Sequence, residues 1–426
     1  MVLTLLIIMF VLLLMGFPMM ISMMLAPLAV LILYFPNINP HLMTQHLIAG
    51  VQPFVLLSVP MFIFAADIMC AGQIAKRVLY FVETFVGHIK GGMAITTATA
   101  CTLFGSISGS TQATVVAIGR PMHAKLLESG YREKDIYALI INSSNIALLI
   151  PPSIVMIMYA VVTGTSVGEL FIAGIGPGLL ILLIFSIYNY FAARHYNIPV
   201  TPKYTWKQRF QSIREALLPF GFPVIIIGGI YTGFFSPTEA AAASVLYALI
   251  LEVFVYKSVK IKEIPDIALS TGLITAAVFI LVGAGAAFSW VISFARIPQM
   301  ITANVLGPDP TALWVLLMVT IFYFVGCMFV DQLIVIIILT PIFFKSAMMA
   351  GIDPIHLGIV VTLQAAIGSA TPPFGCNIFT ACAIFDKSYM EVIRGTLPYI
   401  IMYVIVSAIM IFFPEIALLF RDWAFR

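Results

Sequence analysis

The chain has 426 residues, 62% of them hydrophobic and 9% charged, with a formal net charge of +3. Soluble domains carry about 25% charged residues, so this composition excludes an ordinary soluble enzyme and indicates no nucleic-acid partner. Apolar stretches long enough to cross a bilayer recur from end to end without period-2 alternation, which predicts an all-α polytopic membrane protein rather than a barrel.

In chain order, Met1–Phe17 is apolar but lacks a basic leading segment, and Gly16-Phe17-Pro18 leads straight into another apolar run. It reads as a retained helix rather than a signal peptide. Two short helices in 1–36 are followed by a crossing at 51–72, and 73–90, with Lys76, Arg77 and Lys90, reads as an interfacial amphipathic arm. Residues 91–120 have basic residues at both ends on one side, so they must enter and return as a re-entrant hairpin. A broken crossing at 135–163, a second crossing at 174–193 and a basic linker at 194–215 complete the first half. The five cysteines and six histidines have no metal-ligand spacing, and no Walker loop is present. Transport would then draw on an ion gradient or on facilitation, with no organic cofactor.

The second half repeats the first. Residues 105–177 can be laid on 326–398 at a constant offset of 221, matching Gly105 with Gly326, Gly130 with Gly351, and Pro151-Pro152 with Pro372-Pro373. Gly174 and Pro177 match Gly395 and Pro398, and six of the twelve Gly or Pro positions in the first window find the identical residue, where chance gives about one. The predicted repeats are 1–193 and 216–426, with a second hairpin at 312–340 and a second broken helix at 357–385. Basic loops of one half match basic-poor loops of the other: 120–134 carries Arg120, Lys125, Arg132 and Lys134, whereas 341–355 carries only Lys345. That pattern predicts inverted topology, with five crossings and one re-entrant hairpin per half and the linker in the cytoplasm.

Irregular backbone at membrane depth survives only where protein buries it or where it lines a cavity. The first hairpin reads Gly105-Ser-Ile-Ser-Gly-Ser-Thr-Gln112 and the second Gly326-Cys-Met-Phe-Val-Asp331-Gln332. Each is followed by a Pro-Pro break, which removes two helix donors and frees upstream carbonyls. Freed carbonyls and hydroxyls suit Na⁺, and half-helix N-termini favour an anionic substrate. The Na⁺ candidates are Gly105, Ser106, Ser108, Ser144 and Pro151 in the first half, and Gly326, Asp331, Gly368, Ser369 and Thr371 in the second. The substrate candidates are Ser108, Ser110, Thr111, Asn145, Ser153 and Asn377. Asp331 is the one charge between Trp314 and Phe344, and an intramembrane carboxylate is a functional candidate by default. Its counterpart is Ser110, so the two ion sites should differ. Asp67 and Glu239 also lie in apolar context; Glu239 reads as part of a helix cap, and Arg120 as an interfacial anchor.

The hairpin Gly105-Ser-Ile-Ser-Gly-Ser, the run Leu149-Ile-Pro-Pro-Ser153, Val162-Thr-Gly-Thr-Ser166, Pro237-Thr-Glu-Ala-Ala, Ile297-Pro-Gln299 and Ala370-Thr-Pro-Pro-Phe-Gly375 together resemble the large membrane subunit of TRAP transporters, the tripartite ATP-independent periplasmic carriers. The resemblance covers essentially the whole chain. It implies a multi-pass protein of the bacterial inner membrane that works as an elevator, with hairpins and broken helices moving against a scaffold. It also implies Na⁺-driven import of an organic acid anion, delivered by a soluble periplasmic binding protein, and a small four-helix membrane subunit, separate or fused. The nearest branch by resemblance imports sialic acid, with a C4-dicarboxylate as the other substrate class. A stand-alone divalent-anion/Na⁺ symporter of similar hairpin architecture is the alternative reading. An intramembrane enzyme would need clustered Ser/His, His/Glu or paired carboxylates at membrane depth, and the sequence shows no such cluster.

Overall fold

Apolar runs become helices, and Gly, Pro and short polar side chains mark where they stop. In the computed structural model, which describes residues 1–307 and 310–425, every regular element is helical. Residues 308, 309 and 426, all within the expected second repeat, lie outside the described residues. Among the described residues seven helices are long and apolar enough to cross a membrane, or eight if Leu397–Phe412 and Pro414–Ala424, bent by 68°, form one span. The chain is therefore a multi-pass membrane protein. Two of the seven are arms of the second hairpin, so five unbroken crossings per half is not what helix length alone returns. Much of the remaining membrane-depth structure is short: Val2–Leu14, Met19–Tyr34, and the pieces of the broken helices.

The amphipathic arm forms as Ile74–Val86, burying Ile74, Val78, Leu79 and Val82 on one face. Its N-terminus is held from outside the helix: the buried Glu252 carboxylate accepts from the backbone N–H of Gln73 at 3.1 Å and of Ile74 at 3.2 Å. Helix N-termini leave such donors unpaired, and a carboxylate there also meets the positive end of the helix dipole. At the other end Glu83 pairs with Lys125 at 2.5 Å and accepts from Tyr204 at 3.0 Å, tying the arm to the first hairpin and the linker.

Both hairpins form, and both outrun their expected ends. The first is Gly92–Ser108 and Thr111–Glu128; the second is Ala312–Phe329 and Gln332–Met349. The outgoing arms continue through Pro121 and Pro341 to stop near Gly130 and Gly351, whose φ values of +88° and +76° suit glycine alone. The first broken helix runs Glu133–Ser144, passes through a short 3₁₀ turn, and resumes at Ile154–Thr163. The second runs Pro354–Ser369 and resumes at Cys376–Phe385, with both Pro-Pro bonds in cis. The crossing expected at 174–193 is one continuous helix, Val167–His195. The linker is shorter than expected: Thr205, with Gln208, forms a capping box that starts a helix at Trp206, so residues 206–215 belong to the next span. Glu239 forms the predicted cap with Ser236.

Candidate functional site

Each hairpin turns where a short polar side chain caps the outgoing arm. Ser110 Oγ accepts from the Ala113 N–H at 3.3 Å, and Asp331 Oδ1 accepts from the Leu333 N–H at 2.9 Å. These are the residues that the offset of 221 pairs, so the tips share a cap position while one cap is neutral and the other carries a carboxylate. The preceding residues diverge: Gly109 is left-handed at φ +59°, whereas Val330 is extended.

Both tips open on one cavity of about 510 Å³. Its polar wall is Ser108, Ser110, Thr111, Gln112, Asp331, Gln332 and Asp67, and its apolar wall comes from helices 58–71 and 264–294. Asp67 is fixed by Thr271 of helix 264–294, whose hydroxyl donates to Oδ2 at 2.6 Å. The outgoing arms begin at Thr111 and Gln332, so two helix N-termini border the space. The lining contains two carboxylates and no Lys, Arg or His.

Behind the wall lies a fully buried polar layer that joins the halves. Thr111 Oγ1 donates to Asn377 Oδ1 at 2.9 Å, Ser369 Oγ donates to Asn145 Oδ1 at 2.9 Å, and Asn377 Nδ2 donates to the same Asn145 oxygen. Close backbone approach seats each hairpin on its broken helix. A Cβ on Gly105 would lie 2.6 Å from Ala147 Cβ, and one on Gly368 would lie 2.3 Å from Cys327 Cβ.

Of the sequence-predicted residues, Ser108, Ser110, Thr111 and Asp331 line the cavity, and Asn145, Ser369 and Asn377 form the layer behind it. The others are placed differently. Ser153 caps Ile154–Thr163 through the Met156 N–H. The hydroxyls of Ser106, Ser144 and Thr371 donate to carbonyls of their own helices, at 2.6, 2.7 and 2.7 Å. The Gly105 and Gly326 carbonyls each accept from the residue that ends the incoming arm, Gly109 or Val330, at 2.9 Å. Pro151 lies in the cis Pro-Pro bond, and Gly368 packs on Cys327. Arg120 is exposed, away from the cavity.

Sequence reasoning passed over Gln112 and Gln332, although each directly follows a candidate, and it left Asp67 outside the site because its facing partner Thr271 is remote in sequence. It also passed over Asn142 and Ser143, whose side-chain oxygens are buried without a hydrogen-bond partner one turn before the break. Buried polar atoms are nearly always paired, so these two oxygens stand out as exceptions.

A family described as the DctM component of the tripartite ATP-independent periplasmic transporter matches residues 6–416. The chain is 56% identical over 418 residues to the ectoine/5-hydroxyectoine TRAP transporter large permease protein of Ruegeria pomeroyi, covering 98% of each chain. It is 56% identical to the ectoine TRAP transporter large permease protein of Halomonas elongata, covering 97% of each. A sialic acid TRAP transporter large permease protein of Vibrio cholerae is 33% identical, over 89% of this chain and 88% of that one. The sialate expectation thus loses its support to relatives named for ectoine. Among solved structures, the YdaH transporter of Alcanivorax borkumensis superposes with a TM-score of 0.61 at 13% identity, covering 89% of this chain and 87% of that one, a likeness of fold.

Proposed function

The chain belongs to the DctM component family of tripartite ATP-independent periplasmic transporters, and we propose that it carries a small zwitterion of the ectoine class across the inner membrane. The observation that carries the proposal is the charge of the cavity: Asp67 and Asp331 face it, and no basic side chain does. A dicarboxylate or sialate would meet two carboxylates and no fixed cation, an arrangement that like-charge repulsion penalises. Ectoine combines a cationic amidinium with a carboxylate. Its amidinium suits Asp67 and Asp331, and its carboxylate suits the N-termini of the two outgoing arms. The 56% identity to two ectoine permeases supports the same substrate class.

Na⁺ serves as the coupling ion in this reading. The unpartnered oxygens of Asn142 and Ser143 and the carboxylate of Asp331 are the hard donors a small cation prefers. Ser106, Ser144 and Thr371, engaged with their own helices, would contribute after rotating. The halves act as inverted repeats, supported by the paired caps at Ser110 and Asp331 and the paired breaks at 151–152 and 372–373. Hairpins and broken helices move as one elevator body in this reading: the Thr111–Asn377–Asn145–Ser369 layer ties the first hairpin to both broken helices, and Gly368 packs on the second hairpin through Cys327. A periplasmic binding protein delivers the substrate, and a small membrane subunit completes the complex.

The test is uptake into proteoliposomes holding this chain with the small subunit and binding protein encoded beside it. Labelled ectoine should enter with an inward Na⁺ gradient, and succinate and sialate should not. Uptake of either anion without ectoine would overturn the substrate proposal, and ectoine uptake indifferent to Na⁺ would overturn the coupling.

A further inference from the structure

A second cavity, of about 350 Å³, lies away from the hairpin tips, where the loop Gly130–Asp135 meets the end of helix 167–195 and the start of helix 397–412. Its lining combines Arg132, Lys134 and Arg394 with Tyr131, Tyr188, Tyr196 and Tyr399. Arg132 is already committed: its guanidinium lies 4.0 Å from the Tyr196 ring centroid and pairs with Asp135 at 2.6 Å. Lys134 and Arg394 form no ion pair among the described residues. The nearest further carboxylate on the same turn, Glu391, is occupied as the cap partner of Ser388.

Backbone packing brings the two segments that carry these cations together. A Cβ on Gly395 would lie 2.4 Å from the Lys134 carbonyl oxygen, so the chain beside Arg394 is pressed directly onto that of Lys134. Lys134 and Arg394 are both exposed and line the same cavity, so an anion seated there meets two positive charges. The setting identifies the anion. Helices 167–195 and 397–412 carry outward apolar stripes that run up to the cavity: Ile187 and Phe191 on one, 49% and 59% exposed, and Leu397 and Ile401 on the other, 64% and 52% exposed. The mouth therefore lies at the depth where acyl chains end and headgroups begin, with tyrosines at the level typical of an interfacial belt. Arg194 at the end of helix 167–195, Lys203 in the linker, and Lys207 and Arg209 at the start of the next helix make this end basic, the mark of the cytoplasmic leaflet, which is rich in anionic lipid.

We propose that this cavity is a binding site for the phosphate of an anionic phospholipid, held by Lys134 and Arg394, with the acyl chains lying on the Ile187/Phe191 and Leu397/Ile401 stripes. The site joins the loop after the first hairpin to the helix after the second broken helix. Its occupancy would clamp these two segments together.

The test uses the purified full-length chain titrated with fluorescent phosphatidylglycerol, with phosphatidylcholine and inorganic phosphate as separate arms. Phosphatidylglycerol should bind saturably and more tightly than phosphatidylcholine. Each basic side chain near an anionic lipid is worth roughly fivefold, so the double variant Lys134→Gln/Arg394→Gln should weaken binding on the order of twenty-five-fold. Lys203→Gln/Lys207→Gln, which removes the same charge from the linker and the helix start that follows it, should leave binding within about twofold. Lys134→Arg/Arg394→Lys should restore it, confirming that charge rather than a folding defect is read. Equal affinity for the two lipids, or an equal loss in the linker variant, would overturn the proposal. Saturation by inorganic phosphate with no preference for the lipid would overturn the lipid assignment.

Discussion

At the first hairpin tip a neutral hydroxyl, Ser110, ends the turn after a left-handed glycine; at the second, the carboxylate of Asp331 does so after an extended valine. The packing beneath also differs. In the first half the glycine is on the hairpin and meets Ala147 of the broken helix, whereas in the second it is on the broken helix and meets Cys327 of the hairpin. Their surroundings differ as well. The incoming arm of the first hairpin is buried along nearly its whole length, while that of the second exposes Ile321, Val325 and Phe329. What the two have in common is backbone geometry, the close approach and the cap. What differs is charge and surroundings, so two similarly built tips present unequal chemistry.

The largest effect should come from removing that inequality. Asp331→Asn keeps an N-cap acceptor of equal quality but deletes the charge. Ectoine uptake in proteoliposomes should fall on the order of thirtyfold or more, the low end of what losing one member of a buried charge pair costs. Thermal stability should be nearly unchanged. Wild-type uptake by Asp331→Asn would remove the charge from the mechanism and leave Asp331 as a cap alone.

Next comes the packing glycine. Gly105→Ala inserts a methyl group against Ala147 and should destabilise the protein by about 1–3 kcal/mol, as overpacking does. Adding Ala147→Gly, which places glycine at the position equivalent to Gly368, should recover most of the loss of melting temperature. Failure of the double variant to recover would show that the two contacts are not equivalent.

A smaller effect separates the starts of the broken helices. Asp353 caps the second one, accepting from the N–H groups of Ile355 and His356, and pairs with Arg421 at 2.7 Å; its counterpart in the first half is Arg132, which offers no cap. Burial opposes ionisation of Asp353, but the Arg421 guanidinium and the two backbone donors outweigh it and hold the carboxyl below its usual range. A depressed carboxyl contributes stability that is complete above its unfolded value, near 4, and is lost as pH falls through the lower folded value. Acid melting curves of wild type and Asp353→Asn should therefore differ at neutral pH and converge below about pH 3. A difference that persists in acid would show that the ion pair is not its source. The smallest effect is expected at Arg120, which is exposed: Arg120→Gln should leave uptake within about twofold.

Periodicity and punctuation made much of this legible in advance. The Gly and Pro matches at an offset of 221 located both hairpins and both breaks, because these residues act through their own backbone and need no partner to do so. For the same reason Ser110 and Asp331 could be paired as equivalent positions before any geometry was known. Hairpin ends were harder to place. The expected ends are 120 and 340, yet each arm continues through Pro121 or Pro341 for about two turns, an override of local propensity by packing.

By itself, then, the sequence determined the membrane class, the doubled plan, the breaks and the polar caps, all properties carried by one residue or its near neighbours. Tertiary structure alone decided which of those polar groups share a space. Thr111 meets Asn377 across 266 positions, Asn145 meets Ser369 across 224, and Asp67 meets Thr271 across 204. Ser106, Ser144 and Thr371, equally good candidates by composition, turn back onto their own helices. A hydroxyl in a helix can satisfy its carbonyl neighbour or a distant partner, and only the packing around it selects between them.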